Sequence, residues 1–173
     1  MRITAKKLTL MAVLTAAALI IFIIEASIPL PIPVPGVKLG LANAVTLFAL
    51  FYGRNTLTTL NAFTILLCRI ILGAVFIGRP AAIAFSLAGG LLGFAAQAVM
   101  KRFVTQKQIW VCGAVGAVFH NIGQILAAMI ITGTPAIAAY LPVLVIAGVF
   151  TGVITGFIAQ FTIARIQRMH NNI

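Results

Sequence analysis

Long apolar stretches dominate the chain, and short polar or Pro/Gly-rich segments separate them. An α-helix that crosses a bilayer needs about 20 mainly apolar residues. Six stretches fit or approach this requirement, so the pattern predicts an all-α integral membrane protein with a single transmembrane domain over residues 1–173. The six predicted spans are Leu8–Ile28, Leu39–Tyr52, Thr56–Ile77, Ala81–Met100, Ile109–Ile131 and Leu141–Ala164.

The second predicted span is shorter than the others. It has 14 residues, which corresponds to about 21 Å at 1.5 Å per residue. We therefore expect it to tilt little, to extend into its flanks, or to lie where other parts of the protein cover its ends. Pro80 and Pro142 fall where the fourth and sixth spans should begin, and proline is favoured in the first turn of a helix.

The composition excludes several classes of protein. Of the 173 residues, 62% are hydrophobic and 8% are charged, whereas soluble domains average about 25% charged residues. A soluble enzyme, a secreted disulfide scaffold and a disordered tail are therefore excluded. The net charge of +11 does not indicate a nucleic-acid partner, because the basic residues are scattered between apolar runs. Cys68 and Cys112 lie inside apolar runs, which indicates small fillers with no metal or cofactor role.

Lys and Arg are distributed unevenly between the two sides of a six-span protein. Nine fall on one side and two, Lys38 and Arg79, fall on the other. Because cytoplasmic loops carry the excess of basic residues, we expect a plasma-membrane protein with both termini cytoplasmic and an even number of spans. A cleaved signal peptide is the alternative for the first span, but its length and Glu25 near its end favour a retained helix. The nine basic residues are Arg2, Lys6, Lys7, Arg54, Lys101, Arg102, Lys107, Arg165 and Arg168.

Small and polar residues recur on one face of each of the last three spans. In a bilayer such residues mark the faces where helices meet. We therefore expect spans four, five and six to pack closely. The stripes are Ser86, Gly90, Gly93 and Gln97 in span four, Gly113, Gly116, His120 and Gln124 in span five, and Gly148, Gly152 and Gly156 in span six.

The first span has two different faces. Ala12 and Ala16 form an AxxxA pair, and Glu25 lies about 160° around the helix from the midpoint of that pair at 100° per residue. We expect the alanine face to dock another helix and Glu25 to face the bundle.

Three ionisable side chains lie inside predicted spans, namely Glu25, Arg69 and His120. Such groups cost about 2.5–3.5 kcal/mol each on insertion scales and point to function by default. Glu25 and Arg69 both lie in the outer half of the membrane, so a buried pair between them is possible. Either the two charges neutralise each other and lock the helices, or one or both contact a ligand.

Amide side chains extend this polar set. His120, Asn121 and Gln124 lie within five residues near the middle of span five, where lipid cannot satisfy their hydrogen bonds. Asn43 adds another amide in the outer third of span two. We predict that these side chains bind a ligand.

The loop after the first span is rich in proline. Four prolines occupy alternate positions from Pro29 to Pro35, a pattern that excludes a helix and favours extended polyproline geometry. This stiff loop is either a lid over a pocket or a rigid connector. Lys38 and Arg79 flank the outer openings and are candidate substrate-binding residues. They either attract an anion or anchor at the lipid headgroups.

Sequence signatures of catalysis are absent. The chain has no Walker A motif, no Asp and no Ser/His/Asp set. A prenyl synthase that holds diphosphate through Mg²⁺ would need several Asp residues. We therefore expect a protein that is not an enzyme and that lacks an energy source of its own, apart from an ion gradient.

Four segments resemble motifs of one known family. The run from Glu25 to Asn43, which includes Pro35-Gly36-Val37-Lys38-Leu39-Gly40, resembles the opening signature of the Gx transporter family. That family is also called heptaprenyl diphosphate synthase component I. Residues 69–73 (RIILG), 86–90 (SLAGG) and 120–124 (HNIGQ) resemble its later motifs.

The Gx family is similar to the substrate-binding (S) components of energy-coupling factor (ECF) vitamin transporters. The resemblance implies an S-component-like bundle of six helices that captures a small molecule from outside. It also implies that a T-type membrane component docks on Ala12 and Ala16 and that a pair of cytoplasmic ATPases drives uptake. The residues to which it assigns ligand binding are Glu25, Lys38, Asn43, Arg69, His120, Asn121 and Gln124.

Two functions stay open at this point. The first is a membrane-embedded substrate-capture subunit of an uptake transporter. The excess of Lys38, Arg69 and Arg79 over Glu25 favours an anionic or phosphate-bearing ligand, such as a flavin nucleotide or another vitamin-like compound. The second is a membrane anchor or lipid-binding accessory of a polyprenyl diphosphate or quinone-pathway enzyme. A carrier driven by an ion gradient is less favoured, because the two halves share no visible repeat.

Overall fold

A computed structural model describes residues 4–28, 40–52, 57–77 and 81–171 of the chain. Every regular element within these ranges is a helix, and the six helices that the apolar pattern predicts are confirmed. Two short 3₁₀ turns, Gln106–Gln108 and Pro135–Tyr140, precede the last two helices. The helices are α1 (Ala5–Ala26), α2 (Asn43–Phe51), α3 (Thr59–Ile77), α4 (Ala81–Met100), α5 (Ile109–Thr132) and α6 (Leu141–Asn171).

Local sequence signals explain where several helices begin and end. Thr4 caps α1 by accepting a hydrogen bond from the Lys7 backbone N–H at 3.4 Å, as N-cap threonines do. Gly133 follows α5 with φ of +63°, a left-handed conformation that glycine adopts without strain. Pro142 is the second residue of α6, which confirms the expectation that proline marks the start of this helix.

The second helix is shorter than the apolar stretch that predicts it. Within the described ranges five helices are long and apolar enough to cross a membrane, and α2 is not among them. Its nine residues span about 13 Å at 1.5 Å per residue, against a hydrocarbon core of about 30 Å. The physical reason is Gly40, whose φ of +81° places a left-handed turn just before the helix begins at Asn43.

The short helix α2 lies at the centre of the bundle. It contacts all five of the other helices. Leu47 and Leu50 of α2 pack in one buried cluster with Ile65 and Leu66 of α3. Because irregular backbone at membrane depth is tolerated only where protein covers it, this central position allows a helix too short to cross the membrane alone. The second predicted span could tilt little, extend into its flanks or have its ends covered by protein, and the structure shows the last of these.

Glycines bring α5 into close contact with α4 and α6, as the stripes of small residues predict. A Cβ atom on Gly113 of α5 would collide with the Gly152 carbonyl of α6. A Cβ atom on Gly116 would collide with the Gln97 side chain of α4. The tight packing of α4, α5 and α6 through small residues is therefore confirmed.

One glycine of the α4 stripe faces a different helix. A Cβ atom on Gly90 would lie 2.9 Å from Ile70 Cδ1 of α3, whereas one on Gly93 would lie 2.8 Å from the Gly116 carbonyl oxygen of α5. The four residues of this stripe therefore do not serve a single interface. Because α4 is packed on both sides, its small residues divide between α3 and α5.

The outward faces of the helices are strongly apolar. Ile130 of α5 is 81% exposed, and Ile146 and Phe150 of α6 are 72% and 70% exposed. Exposure of such an apolar surface to water is unfavourable, whereas its contact with lipid tails is not. The fold is therefore that of a multi-pass membrane bundle, with these faces in contact with lipid. Both cysteines are free, Cys68 half-buried and Cys112 buried.

The end of α2, the end of α4 and the start of α5 lie together at one end of the bundle. The Ile109 backbone N–H at the start of α5 donates to Gln160 Oε1 of α6 at 3.2 Å. Lys101, just after α4, holds its Nζ atom 6.0 Å from the centre of the Phe51 ring at the end of α2. We call this the basic end, because Lys101 and the neighbouring Arg102 lie here. Helix α2 therefore runs from Asn43 in the interior to Phe51 at the basic end.

Candidate functional site

Glu25 lies on the buried face of α1. This face presents Met11, Ala18, Phe22 and Glu25 to the bundle at spacings of seven, four and three residues, which keeps them on one side of the helix. Glu25 is 3% exposed, and its Oε1 atom accepts a hydrogen bond from the Gly40 backbone N–H at 2.5 Å. The carboxylate thus ties the end of α1 to the chain that enters α2.

Arg69 crosses from α3 to α2. Its Nη2 atom donates to Asn43 Oδ1 at 3.1 Å, and its guanidinium lies 5.5 Å from the centre of the Phe22 ring of α1. Gly73, one turn after Arg69, makes room for that ring, because a Cβ atom there would lie 2.5 Å from Phe22 Cε1. The side chain is 2% exposed and is held by three helices.

Glu25 and Arg69 are buried close enough for their opposite charges to attract each other. An isolated charge in an apolar interior is costly, whereas a paired and hydrogen-bonded charge is tolerated. The buried carboxylate therefore compensates the buried guanidinium. The structure places the two charges near each other, an arrangement that their depth in the membrane makes possible.

Gly40 is the point where the polar residues of three helices meet. A Cβ atom on this residue would lie 2.9 Å from Asn43 Nδ2 and 3.2 Å from His120 Cδ2. Its positive φ also disfavours any other residue. Gly40 lets its backbone approach His120 and Glu25 at once, so glycine is required here for both space and conformation.

His120 and Gln124 face α4 at another glycine. A Cβ atom on Gly89 would lie 3.0 Å from His120 Cε1 and 2.8 Å from Gln124 Cγ. Both side chains are buried. His120 therefore lies between Gly40 on one side and Gly89 on the other. We use the name polar cluster for Glu25, Asn43, Arg69, His120 and Gln124.

Asn121 points in a different direction from its neighbour His120. Its Nδ2 atom donates to the Leu144 carbonyl of α6 at 2.6 Å, and Gly148 of α6 lies directly beside it. His120 and Gln124 therefore share one face of α5, and Asn121 lies on the face beside it. At 100° per residue, the step from His120 to Asn121 turns the side chain from α4 toward α6.

Four buried polar atoms have no hydrogen-bond partner among the described residues. An unpaired buried polar group is unfavourable by about 1–3 kcal/mol, and each instance calls for an explanation such as a ligand. Two of these atoms belong to the polar cluster. The four atoms are Thr46 Oγ1, Arg69 Nε, His120 Nδ1 and Asn121 Oδ1.

Sequence reasoning missed Thr46 and Phe22. Thr46 follows Asn43 by three residues, a spacing that places both on one face of a helix. This spacing could have identified Thr46 as a candidate. Phe22 precedes Glu25 by three residues on the buried face of α1. Glycine permits a turn or a close approach of the backbone, and at Gly40 the structure shows both.

Several predicted residues cannot be placed in this site. Lys38, Arg79 and the proline-rich loop from Pro29 to Pro35 lie outside the described residues. Ala12 and Ala16 are described and are exposed on the face of α1 away from the bundle. In the described part of the chain, no group of three His, Cys, Asp or Glu side chains that could hold a metal ion is found.

Fold and site together define a helical membrane protein with a buried polar cluster, which contains charges of both signs, between its helices. The chain belongs to the heptaprenyl diphosphate synthase component I family, whose family model matches residues 14–162. This match, which runs from α1 into α6, confirms the resemblance to that family. No curated protein and no solved structure matches the chain significantly.

Proposed function

We propose that the chain is the substrate-binding membrane subunit of an ECF-type uptake transporter. It captures a small anionic molecule, similar to a vitamin or cofactor, from the outer side of the membrane. The observation that supports this most is Arg69, a buried guanidinium whose Nε atom has no partner in the part of the chain that the structure describes. A purely structural Arg is expected to satisfy its donors within the protein, whereas a ligand-binding Arg keeps one for the ligand.

The proposed direction of entry follows from the two ends of the bundle. The positive-inside rule assigns the basic end to the cytoplasm, with both termini on that side of the plasma membrane. Helix α2 runs from Asn43 to Phe51, and Phe51 lies at the basic end. The polar cluster lies at the opposite end of α2, around Asn43. A ligand that arrives from the outer side therefore meets the polar cluster first.

The two faces of α1 suit a subunit that binds a ligand and a partner at the same time. Glu25 and Phe22 face the polar cluster, while Ala12 and Ala16 are exposed. Small residues let two membrane helices approach closely. We propose that this alanine face docks the T-type component and that a cytoplasmic ATPase pair supplies the energy. The chain itself catalyses no reaction in this proposal.

The second candidate is a non-catalytic membrane accessory subunit of a polyprenyl diphosphate or quinone-pathway enzyme. The description of the family, component I of a heptaprenyl diphosphate synthase, favours it because a first component implies another. In this case the partner is a soluble prenyl synthase and the ligand is lipid-like. The polar cluster then has a structural or lipid-binding role.

Co-purification in mild detergent separates the two candidates. The tagged chain is isolated from its native membranes, and the proteins that accompany it are identified by mass spectrometry. Recovery of a T-type membrane protein with two ATPases supports the transporter. Recovery of a prenyl synthase without ATPases overturns it in favour of the accessory subunit.

A variant in the exposed face of α1 makes the test specific. The double substitution Ala12→Leu/Ala16→Leu should abolish recovery of the T-type protein, because the larger side chains hold a partner helix away. The matched control is Ala95→Leu, at an exposed alanine of α4, which should retain the partner. If the double variant retains it too, the docking face is not where we propose.

A further inference from the structure

The Thr46 hydroxyl behaves differently from those of other threonines in the helices. Seven helical threonines donate their hydroxyl to a carbonyl of their own helix three or four residues earlier. Such a bond satisfies the hydroxyl without any partner from another element. The seven are Thr9, Thr15, Thr64, Thr132, Thr151, Thr155 and Thr162, with distances between 2.7 and 3.1 Å.

Thr46 does not use the corresponding carbonyl. The acceptor four residues earlier belongs to Ala42, whose φ of −61° and ψ of −18° are helical. Thr46 is 1% exposed, so water does not satisfy the hydroxyl either, and Oγ1 has no partner among the described residues. A hydroxyl buried in this state is unfavourable unless another group binds it.

Two more buried atoms without a partner among the described residues belong to Arg69 and His120, which both lie close to Asn43. Asn43, one turn before Thr46 on α2, accepts a hydrogen bond from Arg69 and lies with His120 around Gly40. Thr46 Oγ1, Arg69 Nε and His120 Nδ1 therefore come from three helices that converge on Asn43. All three residues are more than nine-tenths buried.

The chemistry of these atoms selects a class of ligand. Arg Nε is a donor only, a hydroxyl can donate, and an imidazole nitrogen donates only when it carries a proton, so this site requires a proton on His120 Nδ1. Donors that include a guanidinium bind carboxylate and phosphate oxygens most strongly. None of these three atoms has a hydrogen-bond partner among the described residues, and Glu25 Oε1 accepts from the Gly40 N–H.

We propose that Thr46 Oγ1, Arg69 Nε and His120 Nδ1 together bind the carboxylate or phosphate oxygens of the ligand, with Thr46 as a specificity-determining contact. This inference rests on the proposed function only in that the polar cluster binds a ligand. It requires neither the T-type component nor the ATPases, so it is tested on the purified chain alone.

The first test measures thermal unfolding of the purified full-length protein in detergent. Sodium acetate, sodium phosphate and acetamide are compared with sodium chloride at constant ionic strength. Acetate and acetamide have nearly the same shape and differ in charge. Acetate or phosphate at about ten times its dissociation constant should raise Tm by about 3–6 °C, and acetamide should not. The more effective anion identifies the ligand group as carboxylate or phosphate.

The second test uses Thr46→Val, which replaces the hydroxyl by a methyl group of similar size. It should abolish the anion-dependent rise in Tm and, because the unsatisfied hydroxyl is gone, should leave the ligand-free Tm equal or higher. Thr46→Ser should retain the rise. The matched control is Thr155→Val, since Thr155 is also buried but donates to Gly152 O at 3.1 Å. This control should retain the rise. If Thr46→Val does not fold, Thr46→Ala takes its place.

Three results overturn the inference. They are a wild-type protein without any anion-dependent rise, an equal rise with acetamide, and a rise that survives in Thr46→Val. None of them affects the recovery of the T-type protein and ATPases, so the proposed transporter can stand while this inference fails. In the converse case, an anion effect without those partners would leave the inference standing alone.

Discussion

Arg69 of α3 and Asn43 of α2 are joined by a hydrogen bond of 3.1 Å between Nη2 and Oδ1. Since α2 is too short to cross the membrane alone, it begins at Asn43 inside the bundle and needs a contact that holds it at this depth. The bond supplies one and also orients the guanidinium. The same contact therefore holds the central helix and prepares Arg69 for a ligand.

This bond predicts energetic coupling between the two residues. Asn43→Ala should lower the free energy of unfolding by about 2 kcal/mol, because it removes a buried hydrogen bond to a charged group. In a double-mutant cycle with Arg69→Met, measured by unfolding in mixed detergent micelles, the two effects should be less than additive. Additivity to within about 0.5 kcal/mol would mean that the contact contributes nothing to stability.

The buried pair of Glu25 and Arg69 predicts rescue by a second substitution. Glu25→Gln keeps an oxygen for the Gly40 N–H but leaves the guanidinium uncompensated, and loss of one buried partner is unfavourable by about 3–5 kcal/mol. Removing both charges in Glu25→Gln/Arg69→Gln should restore part of that stability, seen as a higher Tm in detergent than in either single variant. A double variant less stable than both single variants would contradict the pairing.

Gly73 and Phe22 predict a steric rescue near the same guanidinium. Gly73→Ala should lower stability by about 1–3 kcal/mol, the usual effect of overpacking, because the new Cβ would lie 2.5 Å from the Phe22 ring. Phe22→Leu introduces a smaller side chain, so the double variant Gly73→Ala/Phe22→Leu should regain part of the lost stability. Equal Tm values for wild type and Gly73→Ala would show that Phe22 moves away freely.

Asn121 and His120 should have separable roles although they are adjacent. Asn121→Ala removes the bond to the Leu144 carbonyl and should lower stability by about 1–2 kcal/mol while the anion-dependent rise in Tm is retained. His120→Ala should abolish that rise. The assignment is contradicted if Asn121→Ala abolishes the anion effect at unchanged stability.

Much of the fold follows from the sequence because the bilayer sets the rules. Hydrocarbon thickness determines the length of an apolar span, and small residues mark the helix contacts, so five long helices and the packing at Gly113 and Gly152 were predictable. The bounds of α2 were not. They depend on Gly40, whose conformation is stabilised by contacts with Glu25 and His120 from distant parts of the chain.

The polar cluster was predictable only in part. Glu25, Arg69 and His120 stand out because ionisable groups are rare within a bilayer. Thr46 does not stand out, since most helical threonines satisfy their own hydroxyl, and only the structure shows that this one has no partner within residues 4–28, 40–52, 57–77 and 81–171. The direction of Asn121 depends on how α5 rotates between α4 and α6, which the sequence pattern leaves open.

The central claim is that the polar cluster holds a ligand, and native mass spectrometry tests it most directly. Wild type, His120→Ala and the exposed control Ala95→Leu are purified from the native membranes under the same conditions. We predict a bound anionic small molecule, at one per chain, on wild type and Ala95→Leu, and its loss from His120→Ala. The same small-molecule content in all three proteins would contradict the claim.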